Sequence, residues 1–399
     1  MSKNIIFCAD GTWNGPNQQD DDDGQPDFTN VYRLYTDLAG VDDPTMLKLG
    51  NEQEKTAKTA SGTVTQIAKY LHGVGDSRNW YVKIMGGVFG AGIIERIVRG
   101  YTFISRNYQK GDRIYLVGFS RGAYTVRALA GMIGKCGLLD ASKLNLEDKV
   151  SAYRLGSAVW ANYRKASGVS DSLFTDILLD APLFFQQNID PASMIYNVQI
   201  EAVAVWETVG SLGIPAYLND KRVDLYRFAD TRLNSAVRFG RQAIAIDEQR
   251  IDFTPTYWDR RDGIVQVLFP GIHADVGGGY SAASNGNGLS NISYRWLRDE
   301  LASLKVNVHA ENYAEDPLGR IHCEWGDGKP YKTTPRTLVD PTSADMMIHQ
   351  AAVTRLKSTT ASPVQQSSGL WKNQLYRPQA LKTVMAPDWK LPASVVIAK

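Results

Sequence analysis

The sequence has few cysteines, no long apolar run and almost no net charge, and each scarcity excludes a class of protein. Its three cysteines are widely spaced and include no CxxC pair, which argues against a disulfide framework and a zinc knuckle. No apolar run reaches the roughly 18 residues of a membrane-spanning helix. The formal net charge of +2 comes from scattered Lys and Arg residues, so we expect no nucleic acid as a partner.

The N-terminus also lacks the apolar stretch of a secretory signal peptide. Together with reduced thiols, this absence predicts a cytoplasmic protein, and any export would use a route that needs no cleaved signal. The chain is 43% hydrophobic and 22% charged, as is usual for a globular protein, and its 399 residues can bury a large core without metals or disulfides. We therefore expect neither a cofactor nor a bound metal ion.

Short apolar segments alternate with segments of helical periodicity along most of the chain. Strands are expected at residues 4–9, 113–117, 198–206 and 264–269, and helices at residues 93–108, 123–133 and 229–246. Residues 30–38 and 63–71 have a helical or mixed pattern. This alternation predicts an α/β fold with a mostly parallel central sheet flanked by helices, in which ligands bind beyond the carboxyl ends of the strands.

The same pattern gives a domain organisation. We interpret residues 1–399 as a single elaborated α/β-hydrolase domain. Its core would comprise residues 3–136 and 196–300. A helical cap insertion is expected at residues 137–195, where it would cover the site and set the preference for acyl groups, and a C-terminal extension at residues 301–399.

The strongest local pattern is a strand, a tight turn and a helix around residues 118–122 (GFSRG), which match G-x-S-x-G. Side chains two residues before and after the serine would collide at such a turn, so Gly118 and Gly122 occupy both positions. The turn predicts Ser120 as a nucleophile and the backbone N–H of Arg121, at the start of the helix, as an oxyanion donor. The alternative is an ordinary strand–helix turn without chemistry.

A serine hydroxyl is a poor nucleophile until a base takes its proton, and histidine suits this role near neutral pH. Of the five histidines, His273 comes directly after a predicted strand, in a glycine-rich loop that lets the imidazole reach a neighbouring strand end. We therefore predict His273 as the base. His349, in helical surroundings, is the alternative.

The orienting acid is expected after an intermediate strand, because the order along the chain in this fold is serine, acid, histidine. Glu207 follows the predicted strand 198–206 and would hold the imidazole tautomer. Its alternative role is a structural salt bridge. Asp247 and Asp275 are the other candidate acids, although Asp275, two residues from His273, is expected to shape the loop.

The turn after the first strand carries a second group of polar residues. The backbone of Gly11 and Thr12 is predicted to supply a second oxyanion donor, with Asp10 supporting the turn. The segment also invites comparison with phosphatases that use an aspartate nucleophile. Cys8, however, occupies the position of their first acid and cannot form an acyl-phosphate, which leaves this alternative with little support.

Four motifs, in this order, resemble those of one known family: residues 9–14 (ADGTWN), 111–124 (GDRIYLVGFSRGAY), 205–210 (VWETVG) and 269–280 (FPGIHADVGGGY). The chain is similar to the catalytic domain of type VI secretion phospholipase effectors of the GxSxG class over most of residues 3–300. The resemblance implies a catalytic triad of Ser120, Glu207 and His273. Most relatives have aspartate where this chain has Glu207, which is one methylene longer.

The resemblance implies a bacterial serine hydrolase that cleaves carboxylic esters through an acyl-enzyme, as a phospholipase and an antibacterial effector. Its implied partners are a lipid or other ester substrate, a secretion apparatus and an immunity protein. A housekeeping esterase for small soluble esters and a non-enzymatic binding protein on the same fold remain as alternatives. Hydrolysis of lipid vesicles would indicate the phospholipase. Turnover of short-chain esters alone would indicate the esterase, and an inert Ser120 would indicate the binding protein.

Overall fold

The computed structural model describes most of the chain: residues 2–11, 27–47, 52–73, 88–165, 189–209, 233–282, 286–326, 329, 331–338, 346–385 and 388–399. Two compact units are present. The first comprises Met1–Trp13, Ala39–Val203 and Val223–Arg238, and the second comprises Asn14–Leu38, Ala204–Arg222 and Phe239–Lys399.

Strands and helices alternate along both units. The helices are α1 Asn30–Asp37, α2 Pro44–Leu47, α3 Val88–Asn107, α4 Arg121–Cys136, α5 Lys149–Lys165, α6 His273–Gly277, α7 Gly288–Ser303 and α8 Gln350–Lys357. The strands are β1 Asn4–Ala9, β2 Val41–Asp42, β3 Glu52–Lys58, β4 Val64–Leu71, β5 Arg113–Phe119, β6 Leu138–Leu139, β7 Met194–Ile195, β8 Ile200–Trp206, β9 Val237–Ala245, β10 Ile264–Phe269, β11 Met347–His349, β12 Ser362–Gln365, β13 Trp371–Gln374 and β14 Ile397–Ala398.

The sheet of the first unit has the strand order β5-β1-β4-β3-β2. Strand β1 is parallel to both β4 and β5, whereas β3 and β2 continue the sheet in antiparallel pairs. All six residues of β1 are buried, because an apolar run of this length suits a strand that is covered on both faces. Helices α3 and α4 pack against this part of the sheet, so the Asp10 and Ser120 turns both lie at the carboxyl ends of adjacent parallel strands.

The sheet of the second unit has the strand order β14-β11-β10-β9, and each of these strands is parallel to its neighbours in that order. Helix α8 packs on β10 and β11. Strand β8 begins in the first unit and ends in the second, where Glu207 follows it directly. Strand β10 leads into α6, which begins at His273. The predicted α/β architecture, a mostly parallel sheet flanked by helices, is confirmed.

The predicted elements agree with the structure at most positions, but the predicted helix at residues 229–246 is wrong. Its described part contains the strand β9, and residues 229–232 lie outside the described residues. The last six residues of β9 are all buried, so the strand does not alternate between apolar and polar residues, and its Ala, Arg and Gln content favours a helix. The helical or mixed segment 63–71 contains strand β4.

The segment predicted as a cap, residues 137–195, contains α5 and is joined at its base by an antiparallel pair between β6 and β7. Residues 166–188 of this segment lie outside the described residues. The assignment of a cap and of a single domain therefore stays a prediction. Within the part of the chain that the structure describes, no helix has both the length and the apolar character needed to cross a bilayer.

Candidate active site

Ser120 occupies a strained turn between β5 and α4. Its backbone angles are φ 56° and ψ −121°, in a region that side chains rarely adopt and that costs about 1–3 kcal/mol. Helix α4 begins at the next residue, Arg121, so the first N–H groups of the helix lie beside the serine. Strain of this kind persists only where the surrounding structure enforces it, and it is characteristic of functional sites.

The two glycines of the turn are required by close backbone contacts in the first unit. A Cβ atom on Gly118 would lie 2.6 Å from the backbone nitrogen of Ala123. A Cβ atom on Gly122 would overlap the carbonyl oxygen of Ala9. Since both neighbours are backbone atoms of buried elements, neither can move aside without shifting β1 or α4.

Gly122→Ala is therefore expected to destabilise the fold by about 3 kcal/mol or more, because the added methyl group overlaps backbone rather than a flexible side chain. Gly62→Ala is the matched control: Gly62 has φ 86° but no atom within 4 Å of its Cβ position, so only backbone strain of about 1 kcal/mol is expected. Urea unfolding of both variants measures the difference. Equal losses would contradict a steric role for Gly122.

Asp10 supports the turn that follows β1. The residue is fully buried, and its Oδ1 accepts the Gly11 N–H at 2.7 Å while its Oδ2 accepts the Tyr70 hydroxyl at 2.5 Å. Arg96 Nη2 donates to the Asp10 carbonyl oxygen at 2.9 Å. The Gly11 N–H is thus engaged by the Asp10 carboxylate rather than presented to a substrate. Thr12, the other predicted donor of this turn, lies outside the described residues.

In the second unit, Glu207 and His273 form a buried pair. Glu207 follows β8 with φ 45°, a second strained conformation for a residue with a side chain. The Nδ1 atom of His273 lies 3.0 Å from Glu207 Oε2. An ionised carboxylate can only accept, so Nδ1 carries the proton and Nε2 keeps the lone pair that a base requires.

The Glu207 carboxylate is held by more than the histidine. Arg336 donates Nη1 to Oε1 at 2.9 Å and Nη2 to Oε2 at 2.8 Å, and the Ala245 N–H donates to Oε1 at 2.6 Å. Burial by itself raises the pKa of this carboxyl group, but the Arg336 guanidinium and His273 outweigh it and hold the pKa of Glu207 below its usual range. Glu207 is therefore ionised at neutral pH.

A second carboxylate, Glu248, fixes the backbone of His273. Its Oε2 accepts the His273 N–H at 3.2 Å, and Arg250 donates to both of its oxygens at 2.8 Å. Burial by itself raises the pKa of Glu248, but the Arg250 guanidinium outweighs burial and lowers the pKa to about 2. The Phe253 and His273 rings pack in a T-shaped arrangement, with ring centroids 4.9 Å apart. Both the main chain and the ring of His273 are thus held in place.

Burial keeps His273 neutral, within a network whose charges balance. Two carboxylates, Glu207 and Glu248, are matched by two guanidinium groups, Arg336 and Arg250. Burial lowers the pKa of His273 below its ordinary value of 6.5, against the opposing effect of Glu207. The imidazole therefore retains its lone pair at neutral pH, as a general base must.

The alternative residues have structural partners of their own. His349 accepts the Ala351 N–H at 3.1 Å as the N-cap of α8, and burial lowers its pKa to about 4. Asp247 accepts the Gly271 N–H and the Tyr376 hydroxyl, and burial raises its pKa to about 6.

Asp275 forms hydrogen bonds at the start of α6 and with His322. Its Oδ2 accepts the Ile272 N–H at 3.0 Å, and its Oδ1 lies 2.6 Å from His322 Nδ1. His322 is stacked on Tyr280, with ring centroids 3.6 Å apart. The Asp275 carboxylate thereby ties the start of α6 to the segment around His322. Among the described residues, no group of three or more His, Cys, Asp or Glu side chains could hold a metal ion.

Sequence reasoning missed three residues of this network: Glu248, Arg250 and Arg336. Glu248 and Arg250 come shortly after β9, so a correct strand assignment there would have placed them at the carboxyl end of the sheet with the other polar residues. Arg336 lies in a proline- and threonine-rich segment without periodicity, and nothing in the sequence singles it out from the other arginines.

A curated relative comes from yeast. The uncharacterized protein YEL023C of Saccharomyces cerevisiae is 28% identical over 264 residues, which cover 63% of this chain and 32% of the relative. The chain thus spans about a third of the length of the curated relative that it matches. A relative in yeast means that the resemblance does not by itself assign the chain to a bacterium.

Two solved structures have a weaker similarity. A crystal structure of an uncharacterized protein from Pseudomonas aeruginosa has 16% identity and a TM-score of 0.39, with coverage of 77% of this chain and 46% of that one. The structure of the Tle1 effector bound to the VgrG spike of the type 6 secretion system has 15% identity and a TM-score of 0.35, with coverage of 72% and 53%. Both TM-scores are too low to establish a shared fold.

The family comparison is more decisive, because it covers a continuous stretch that contains every predicted site residue. Residues 3–300 match the family described as "T6SS, Phospholipase effector Tle1-like, catalytic domain". This match confirms the resemblance that the four sequence motifs indicated. The chain belongs to the family of Tle1-like type VI secretion phospholipase effector catalytic domains.

Proposed function

We propose that the chain is a serine ester hydrolase with an α/β-hydrolase fold, in which Ser120 is the nucleophile, His273 the general base and Glu207 the orienting acid. The observation that carries the proposal is the buried hydrogen bond of 3.0 Å between Glu207 and His273 Nδ1. It leaves the lone pair of the imidazole on Nε2, the tautomer that a serine hydrolase needs. The strained conformation of Ser120 at a strand–helix turn supports the same assignment.

In this mechanism, Ser120 Oγ attacks the carbonyl carbon of an ester while its proton passes to His273 Nε2. The backbone N–H of Arg121 stabilises the oxyanion, with the backbone N–H of Thr12 as the proposed second donor. The intermediate collapses to an acyl-enzyme as His273 protonates the departing alcohol oxygen. Water, deprotonated by His273, then attacks the acyl-enzyme and regenerates the serine. Glu207 stabilises the imidazolium in both steps.

We propose a phospholipid as the substrate, because the family is one of phospholipase effectors. A component of the secretion spike is the proposed partner for delivery, by similarity to the Tle1 effector that was solved bound to VgrG, and an immunity protein is proposed to protect the producing cell. On this proposal the chain is made in the cytoplasm and is delivered out of the cell by the secretion apparatus. Substrate specificity would be set in part by the predicted cap at residues 137–195.

The test is fatty-acid release from vesicles of mixed zwitterionic and anionic phospholipids. Full-length protein is expected to release fatty acid and Ser120→Ala to release none. Ser303→Ala, on the exposed end of α7, is the matched control and should match the wild type. Turnover of short-chain nitrophenyl esters without vesicle activity would favour a small-molecule esterase. A protein inert toward both substrates and toward fluorophosphonate would favour a binding protein.

The pH dependence of ester hydrolysis is expected to follow His273. Burial holds the pKa of His273 below 6.5, so half of the imidazole becomes protonated only below that pH. The acidic limb of kcat/KM for an uncharged ester should thus reach half-maximum below pH 6.5. A half-maximum above pH 6.5 would contradict the assignment of His273 as a buried, neutral base.

A further inference from the structure

Arg336 belongs to the C-terminal segment beyond residues 3–300, the stretch that matches the family, yet it contacts the proposed catalytic acid directly. Its side chain is buried, with 4% of its surface exposed. Besides the two bonds to Glu207, Nη1 donates to the Ala245 carbonyl oxygen at 2.7 Å and Nη2 to the Phe253 carbonyl oxygen at 2.7 Å. These four hydrogen bonds fix the plane and position of the guanidinium group.

The fixed guanidinium in turn fixes the carboxylate. A planar fork that donates to both oxygens of a carboxylate determines its orientation as well as its position. Glu207 has one more rotatable bond than an aspartate, so its carboxylate needs an additional constraint to keep Oε2 against His273 Nδ1. Arg336 and the Ala245 N–H supply that constraint: both donate to Oε1, and Arg336 also donates to Oε2, the oxygen that contacts His273.

The same contact also keeps the acid charged. A buried carboxylate without a partner takes up a proton, because burial disfavours the ionised form. A protonated Glu207 could no longer stabilise an imidazolium on His273. The positive charge of Arg336 offsets burial, and the pair is neutral as a unit, so a proton gained by His273 during catalysis still meets an ionised acid.

We propose that Arg336 is the positioning residue of the catalytic acid: it holds the Glu207 carboxylate ionised and aimed at His273, so that the C-terminal segment completes the active site of the family domain. This proposal rests on the proposed function. Arg336 acts through Glu207 and does not itself contact the reacting atoms.

The test compares Arg336→Met and Arg336→Lys with Arg355→Met in the full-length protein. Arg355 is the matched control, because it is also buried but donates to the carbonyl oxygens of Pro317 and Gly319. Arg336→Met is expected to lower kcat for an uncharged ester about 10- to 100-fold with little change in KM, as is typical when the partner of a functional side chain is lost. Arg336→Lys should recover part of kcat, since it keeps the charge but not the fork.

The pH profile separates this role from a purely structural one. In Arg336→Met the Glu207–His273 pair has lost its cation, so it takes up a proton at higher pH than in the wild type, whichever of the two groups receives it. The acidic limb of kcat/KM should therefore move to higher pH. It should stay in place in Arg355→Met, even if that variant is less stable. An unchanged limb in a folded Arg336→Met protein would overturn the proposal.

Chemical rescue gives a second measurement on the same residue. Arg336 lines a cavity of about 440 Å³, which offers a small cation a route to the vacated position. Millimolar methylguanidinium is expected to raise kcat of Arg336→Ala several-fold and to leave Arg355→Ala unchanged. Rescue of both variants, or of neither while Arg336→Ala remains folded, would contradict a positioning role.

A readout without substrate distinguishes failure of this proposal from failure of the proposed function. In protein with ¹⁵N-labelled histidine, the His273 Nδ1 proton is expected to give a downfield NMR signal, assigned by its loss in His273→Gln. The signal should weaken or change its titration in Arg336→Met and persist in Arg355→Met. If it persists unchanged in both, the positioning role is wrong. If it behaves as expected while wild-type protein hydrolyses no ester, only the proposed function fails.

Discussion

Ser120→Ala is expected to abolish ester hydrolysis, with kcat at least about ten-thousand-fold below that of the wild type. Without the hydroxyl no acyl-enzyme forms, and the remaining oxyanion donors retain only a small part of the rate enhancement. The fold should be preserved, since alanine removes one oxygen and keeps the Cβ atom of the turn. Initial rates with a nitrophenyl ester and with phospholipid vesicles measure the loss, and circular dichroism checks the fold.

Covalent labelling tests the role of Ser120 as the nucleophile without the choice of a substrate. A fluorophosphonate is expected to modify wild-type protein at Ser120, found by mass spectrometry of the tryptic peptide, and to leave Ser120→Ala unlabelled. Ser303→Ala should be labelled at the wild-type rate. Labelling at another serine, or full hydrolytic activity of Ser120→Ala, would show that the strained turn between β5 and α4 serves a different purpose.

The parts of the fold that could be predicted from the sequence are those in which local pattern and burial agree. Strands β1 and β10 are apolar runs followed by polar turns, and α3 has a clear helical periodicity, so both strands were predicted at their observed bounds and the helix over most of its length. Strand β9 could not be predicted in this way. Its residues favour a helix locally, and only the neighbouring parallel strand β10 makes an extended conformation favourable.

In the candidate site, too, only the residues that follow a recognisable local pattern could be predicted from the sequence. Ser120, Glu207 and His273 each follow a strand that the sequence indicates, and the rule that parallel strands end at one edge of a sheet predicts that they lie together. Arg336 has no such signal. Its position depends on a long irregular segment that returns to the sheet, and loops of this kind are fixed by tertiary contacts that no local pattern records.

The strained backbone of Glu207 is a further feature that the sequence could not supply. A residue with φ 45° is ordinarily glycine or asparagine, and neither carries a carboxylate. The conformation directs the side chain from the end of β8 to a position where it accepts from Ala245, Arg336 and His273 at once. The backbone strain is therefore balanced by a fully satisfied buried carboxylate.

Glu207→Gln is accordingly expected to have the second large effect, on activity and stability together. The amide has the same shape but no charge, so His273 loses the acceptor that selects its tautomer, and kcat should fall about ten-thousand-fold, as when a triad acid is replaced by its amide. Arg336 would remain as a buried cation without a counter-ion, which is expected to cost about 3–5 kcal/mol of the free energy of unfolding. Steady-state kinetics and urea unfolding measure the two losses.

Two further variants separate charge from length. Glu201→Gln, on the same strand but paired with Arg238 away from the network, is the matched control and should retain full activity. Glu207→Asp keeps the charge and the ion pair with Arg336 but shortens the reach to His273 by one methylene, so an intermediate loss is expected. If Glu207→Gln were as active as Glu201→Gln, His273 would have to be oriented by another acid. Glu248 is the nearest candidate, because it already accepts the His273 N–H.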